Sequence, residues 1–254
     1  MAFMASAPAG ELTDRQRAAL QTLVSDLRTI VGSRLHALVA YGFGPDPAAI
    51  YVRTLGLLER VTFDDLARAA PFAAEWQRRG LAVPLLLSRH EFERTLDVFP
   101  LEYGNIIANH VVIVGDNPFA NTRVADADRR RGCEQQAKSH LIHLREGFLE
   151  AQGDSRNVAR LIASSAPAFR TLLTNLAQLD GGGRLDSNSE STGDPGSEAL
   201  ASAIERTIGV PASLIVEVLA SSSGLGAVAD PTALLSRYID ASERIWRFVD
   251  GWRA

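Results

Sequence analysis

The chain has 254 residues, 46% of them hydrophobic and 22% charged, which is ordinary for a globular protein and long enough for two modest domains. A formal net charge of −4 argues against general attraction to nucleic acid or to an anionic membrane. Cys133 is the single cysteine, so no internal disulfide can form, and a reducing compartment is expected. The first residues, Met-Ala-Phe-Met-Ala-Ser-Ala-Pro, carry no basic region ahead of their apolar ones, which argues against a signal peptide. Apolar runs such as Leu85-Leu86-Leu87 and Leu214-Ile215-Val216 fall far short of the roughly 20 residues that a membrane span needs. A cytoplasmic protein is the expectation.

In chain order, residues 12–31 read as an amphipathic helix, because Leu20, Leu23, Val24, Leu27, Ile30 and Val31 recur at helical spacing. Thr13 with Gln16 three residues on fits a capping box, and Gly32 is a natural stop. Leu35–Tyr41 and Ile50–Leu58 read as strands. Between them, Gly42-Phe43-Gly44-Pro45-Asp46-Pro47 has turn chemistry. Thr62 opens a second helix that runs to about Arg79 and closes at Gly80. Ala82–Leu87 has the pattern of a buried strand. Ser88 and Glu91 form another capping box, opening a helix that ends before Pro100, and Pro100 predicts an extended start to the next segment. Val111–Val114 is a short strand stopped by Gly115. The alternation of helices and strands predicts an α+β fold with a small mixed β-sheet flanked by helices.

Beyond Asn121 the pattern becomes helical. Ala137, Leu141, Leu144 and Phe148 mark one face of a long helix. Val158–Ile162 and Phe169–Leu179 continue it, with Pro167 expected to interrupt. Residues 180–197 are rich in Gly, Ser and Asp with Leu185 as their one large apolar residue, which predicts a mobile loop. Two or three helices follow. The last is capped by Asp230 with Pro231 in its first turn and turns Leu235, Tyr238, Ile245, Val249 and Trp252 inward. The expected division is an α/β domain over 1–120 and an α-helical bundle over 121–254.

Several short motifs occur in a telling order: Ala40-Tyr41-Gly42, then Val83-Pro84-Leu85-Leu86-Leu87-Ser88, Asp97-Val98-Phe99-Pro100-Leu101-Glu102, Val112-Ile113-Val114-Gly115-Asp116-Asn117-Pro118, Cys133-Glu134-Gln135 and Leu144-Arg145. In this order and spacing the chain resembles a group of bacterial nucleotidyltransferase-like proteins, over about residues 20–180. The resemblance implies a nucleotidyltransferase-like mixed sheet followed by a helical domain. An active member of that fold would carry Gly-Ser after the first strand and Asp-x-Asp on the second. Two carboxylates at that spacing share one side of a strand and, with a third, hold Mg²⁺ against the nucleotide phosphates. Here the serine position is Phe43, the strand from Ala49 to Leu58 has no acid, and Ala82–Leu87 has none either. Asp46, in the turn, is the lone acid between Gly42 and Leu58.

The resemblance therefore implies ancestry without the usual catalytic residues. It points to a catalytically silent protein that binds a nucleotide, a nucleic-acid end or a protein partner, with no catalytic residue, metal ligand or cofactor assigned. Gly42, Phe43, Asp97, Glu102 and Arg145 are the candidate ligand-binding residues. Asp97 and Glu102 either line what remains of the cleft, pair with a basic group such as Arg145, or serve the helix ends around Pro100. One alternative is an active enzyme with an atypical Mg²⁺ site built from Asp46, Asp64, Asp97 or Glu102. Another is an antitoxin-like or regulatory partner of a separately encoded protein. The helical ribonuclease that can accompany such domains would show Arg, four to six residues, then His late in the chain, and no histidine follows His143.

Other chemistry-bearing residues have plainer readings. Asp64 and Asp65 complement a helix dipole in a first turn. His140 and His143 sit three apart with Cys133, Glu134 and Glu146 nearby, but lack a second converging segment, so a solvated polar face is expected. Cys133 reads as a packing residue. Arg129-Arg130-Arg131 reads as a solvated helix face. Gly42-Phe43-Gly44-Pro45 lacks the Lys-Ser/Thr of a phosphate loop, and Gly224-Leu225-Gly226 does not follow a strand.

Overall fold

In Leu35–Tyr41 (β1) successive side chains point to opposite faces, and both faces are apolar, so this strand can only be central. The structure, a computed structural model, describes residues 12–42, 51–179, 195–222 and 229–252, and places β1 inside a four-stranded sheet. Its partners are Arg53–Leu58 (β2), Leu85–Ser88 (β3) and His110–Val114 (β4), in the order β3-β2-β1-β4. β1 runs antiparallel to β2 and β4, whereas β2 and β3 are parallel. The sheet is therefore mixed, in an α+β protein. A register shift between Leu35 and Ala37 re-aims β1, and from there Tyr41 is paired with Arg53 on one side and His110 on the other.

Asp14–Val31 (α1) begins at Thr13, whose side chain and that of Gln16 cap each other as the sequence predicts, and ends at Gly32 with φ 63°. Its buried Leu20, Leu23, Leu27 and Ile30 pack on one sheet face with Leu35, Leu38, Ala40, Leu58 and Trp76. The Trp76 indole N–H donates to Asp26 Oδ2 at 2.9 Å, so the largest side chain of this core has its polar atom satisfied. The helix expected over 62–79 is two helices, Phe63–Ala69 (α2) and Ala73–Arg78 (α3), joined by a 3-10 turn at Ala70-Pro71-Phe72. Pro71 has no N–H for a continuous ladder. Gly80, at φ 85°, closes the segment.

On the opposite face, Ala37, Val39, Leu55 and Leu57 meet Phe92, Tyr103, Ile106 and Phe119. Phe92 lies on Arg89–Thr95 (α4), capped by the Ser88–Glu91 box. Tyr103 and Ile106 lie on Pro100–Ala108 (α5). This helix corrects the expected extended start at Pro100: the proline occupies the first helical turn, where a missing N–H costs nothing and its fixed φ suits the helix. Two strand boundaries also differ. β2 begins at Arg53, with Val52 joined to Leu81 by an isolated bridge, and residues 43–50 lie outside the described residues. β3 is half-buried at the sheet edge, so 82–87 is not the fully covered strand its composition suggests.

The chain divides into two compact units, Met1–Ala125 and Asp126–Ala254. The second is helical throughout its described residues: Asp126–Glu150 (α6), Ser155–Leu179 (α7), Pro195–Ile208 (α8), Ala212–Ser221 (α9) and Pro231–Gly251 (α10). Ala137, Leu141 and Leu144 of α6 are buried as predicted, and Phe148 is half-buried. Pro167 does not interrupt α7. A helix-interior proline costs about 3 kcal/mol. Val158, Ile162, Phe169, Leu172, Leu173 and Leu176 are all buried along that helix, at about 1.5–3 kcal/mol each, so packing outweighs the break. The loop expected over 180–197 is corrected at its end, where α8 starts at Pro195 and Ser197 is buried; residues 180–194 lie outside the described residues. Asp230 caps α10 by accepting from the Ala233 N–H, and Trp252 is its half-buried C-cap rather than a core residue.

Candidate functional site

The distinctive end of the sheet is where β1 finishes and β2 starts. Gly42 leaves β1 at φ 80°, a backbone conformation that suits glycine. A Cβ built there would lie 3.6 Å from Arg53 Cδ, so the arginine stem runs alongside this glycine. Arg53 is exposed and is the cross-strand partner of Tyr41. Side chains alternate along β2, so Arg53 shares its face with Leu55 and Leu57, which pack against α4 and α5. That face holds a guanidinium and two buried leucines.

Tyr41 is half-buried. Burial pushes its hydroxyl above the usual range, with the Glu102 carboxylate acting in the same direction and the Arg53 guanidinium against it. Glu102 is exposed in the first turn of α5, a helix whose start has no side-chain cap. Tyr41, Gly42, Arg53 and Glu102 thus make up one locality. Among the described residues, nothing hydrogen-bonds the Tyr41 hydroxyl and no carboxylate forms an ion pair with Arg53. Next along the row, His110 is fully engaged: its ring nitrogens lie 3.0 Å from the Ile107 carbonyl and 3.1 Å from Asn117 Oδ1, while Phe119 meets the ring edge-on.

The predicted site residues separate accordingly. Gly42 and Glu102 fall in this locality. Phe43 lies outside the described residues, as does Asp46. Asp97 is exposed in the turn between α4 and α5 and makes no ion pair among the described residues. Arg145 belongs to the helical unit, where it donates to Glu243 Oε2 of α10 at 3.1 Å. Tyr41 and Arg53 were not singled out by sequence, although the period-2 run Arg53, Leu55, Leu57 carries the signal.

The carboxylate pair at 64–65 resolves into two unlike residues. Asp64 is exposed, but Asp65 is 1% exposed and receives both guanidinium nitrogens of Arg34, one at 2.9 Å, besides the Thr62 N–H and hydroxyl. The Arg34 hydrogen bonds hold its carboxyl well below the usual range. It is a structural anchor between the α1–β1 turn and α2, more than the dipole complement expected.

His140 overturns the expected solvated face. It is buried, its Nε2 lies 2.7 Å from the Tyr238 hydroxyl, and its ring stacks on Phe169 at 5.5 Å. Burial, and then the nearby His143, push it down to about 4. His143 is exposed and pairs with Glu146. Cys133 packs in the core as predicted, and burial pushes its thiol up to about 12, which leaves it inert. Arg130 pairs with Glu134 and Arg131 with Asp128 along α6. Among the described residues, no three His, Cys, Asp or Glu side chains are grouped so as to hold a metal ion, and no helix is long and apolar enough to cross a membrane. Gly224-Leu225-Gly226 lies outside the described residues.

No protein-family model matches the chain, and no curated protein matches it.

Proposed function

We propose that the protein is a catalytically silent, nucleotidyltransferase-like protein that acts by binding a nucleotide, a nucleic-acid end or a protein partner. One observation carries this reading: the face of β2 beside Tyr41 presents Arg53, Leu55 and Leu57 where a working transferase needs paired carboxylates. A guanidinium repels a divalent cation, and leucines buried against Phe92 and Tyr103 offer it no oxygen. Among the described residues, no three acids, histidines or cysteines converge as a replacement. Asp65 is committed to Arg34 and Thr62, and Asp97 stands exposed in its turn.

The test is incubation of the full chain with ATP, GTP, CTP and UTP, each with Mg²⁺ or Mn²⁺, following pyrophosphate release and transfer of the nucleotide to protein, RNA or small acceptors. No metal-dependent turnover is expected with any of them. Sustained turnover that stops in EDTA and in a Glu102→Gln or Asp97→Asn variant would establish an atypical metal site instead.

A further inference from the structure

We propose that the Tyr41 hydroxyl and the Arg53 guanidinium together hold a phosphate group at the paired ends of β1 and β2 without a metal ion. The proposal rests on the binding role above and names its ligand chemistry. Because the two residues are directly opposed across the strand pair, their Cβ atoms stand on one face about 5 Å apart. Their polar tips are the part left over once the locality is accounted for. The tyrosine hydroxyl and the arginine fork have no hydrogen-bond or ion-pair partner among the described residues, whereas His110, next in the row, is satisfied by Ile107 and Asn117.

The donor set selects the ligand. A guanidinium presents a planar fork that matches two oxygens of either a carboxylate or a phosphate. The hydroxyl on the neighbouring strand adds a donor from a separate direction. A carboxylate can also meet both kinds of donor, as Asp65 does with Arg34 and Thr62, but a tetrahedral phosphate brings a third oxygen outside the plane of the fork and carries more charge. Burial and Glu102 keep Tyr41 in its phenol form, so it donates rather than repels an anion. The Arg53 stem runs alongside Gly42, so the fork starts from the same strand end as the Tyr41 ring.

Glu102 refines the choice. Its carboxylate acts on Tyr41, so it also opposes negative charge placed beside that hydroxyl. A phosphate ester bearing hydroxyl groups is therefore favoured over a compact inorganic polyanion, because an ester hydroxyl can donate to Glu102.

The experiment is calorimetric titration of the full chain in EDTA with ADP, inorganic phosphate and tripolyphosphate. It is repeated on the Arg53→Gln, Tyr41→Phe and Glu102→Gln variants, with circular dichroism to check folding. Arg53 and Glu102 are exposed and Tyr41→Phe keeps the ring, so all three are expected to fold. ADP is expected to bind without metal, at least about tenfold more weakly after Arg53→Gln and several-fold more weakly after Tyr41→Phe. Glu102→Gln is expected to narrow the preference for ADP over tripolyphosphate. Binding of inorganic phosphate alone, with the same sensitivity to Arg53 and Tyr41, also upholds the site and identifies the free anion as its ligand. Absence of binding by all three probes, or ADP binding unchanged by both the Arg53 and Tyr41 substitutions, overturns it. Metal-dependent turnover would instead overturn the silent reading, so the two failures are distinguishable.

Discussion

Lowering the pH should weaken the helical unit through one residue, His140. The ring is buried between Phe169 and Tyr238 with its Nε2 2.7 Å from the tyrosine hydroxyl, and burial favours its neutral form. In the folded protein it binds a proton near pH 4, against about 6.5 in an unfolded chain. Between those values the unfolded state binds the extra proton. The stabilisation is therefore complete above about pH 6.5 and is lost as pH falls towards 4. A gap of about 2.5 pH units at ~1.4 kcal/mol per pH unit gives about 3.5 kcal/mol in full, of which about 3 kcal/mol is lost by pH 4. His140→Gln supplies the reference, because its amide oxygen can still accept from Tyr238 but does not titrate. Hydrogen exchange of α6 and α10 amides at pH 7, 5.5 and 4 isolates this unit from the rest of the chain. Wild type should lose about 3 kcal/mol relative to the variant over that range. Parallel stability profiles for the two proteins would refute the reasoning, since a solvated histidine would give that result.

Three further outcomes follow from single contacts. Thr54 is 1% exposed and its hydroxyl has no hydrogen-bond partner among the described residues, so Thr54→Val should raise stability by about 1 kcal/mol, read as a higher midpoint in urea. A drop in the midpoint would mean that the hydroxyl is satisfied. A Cβ at Gly115 would lie 2.1 Å from the His36 carbonyl oxygen at φ 79°, so Gly115→Ala should cost at least about 2 kcal/mol and loosen the β1–β4 ladder in amide exchange. Arg34→Gln should lower the urea midpoint at neutral pH, because it strands the buried Asp65 carboxylate. Asp65 has a depressed folded pKa, so its contribution is present above about pH 4, its unfolded value, and is lost as pH falls below that. The deficit of the Arg34 variant should therefore shrink in acid; a pH-independent deficit would show that lost packing, not charge, is the cause.

What was legible in the sequence is what short-range physics decides. Thr13 with Gln16 and Ser88 with Glu91 cap helices using residues three apart, and β1 spans the residues its apolar run marks. Proline was the weak point, because its effect depends on position and on packing far away. Pro100 begins a helix instead of an extended segment, and Pro167 is carried by buried residues on both sides of it. The pairing of Arg145 with Glu243, 98 residues apart, has no local signature at all. His140 is different, since it falls three after Ala137 and four before Leu144, on the stripe that periodicity had marked as buried. There the pattern was present and the polarity of the residue misled. Arg53 has a comparable local signal, since it falls two before Leu55 and four before Leu57 on one face of β2, but its partnership with Tyr41 depends on cross-strand register that no local pattern carries.

If the proposed reading holds, the packing on β2 also makes catalysis hard to restore. On the proposed reading, restoring Asp-x-Asp means Arg53→Asp with Leu55→Asp. Arg53 is exposed and could accept the change. Leu55 is fully buried in the cluster that holds Phe92, Tyr103 and Ile106, a largely apolar setting that disfavours a carboxylate. Losing the leucine costs about 2–5 kcal/mol, and desolvating an unpaired carboxylate adds several more. Native domains hold only about 5–15 kcal/mol in all, so the α/β unit should unfold or trap the acid protonated. Either way, Mg²⁺ titration should detect no site, and circular dichroism should report lost structure or a much lower melting point. A stable double variant that binds Mg²⁺ would mean that the packing on β2 is adaptable, and that the missing acids alone separate this chain from a working transferase.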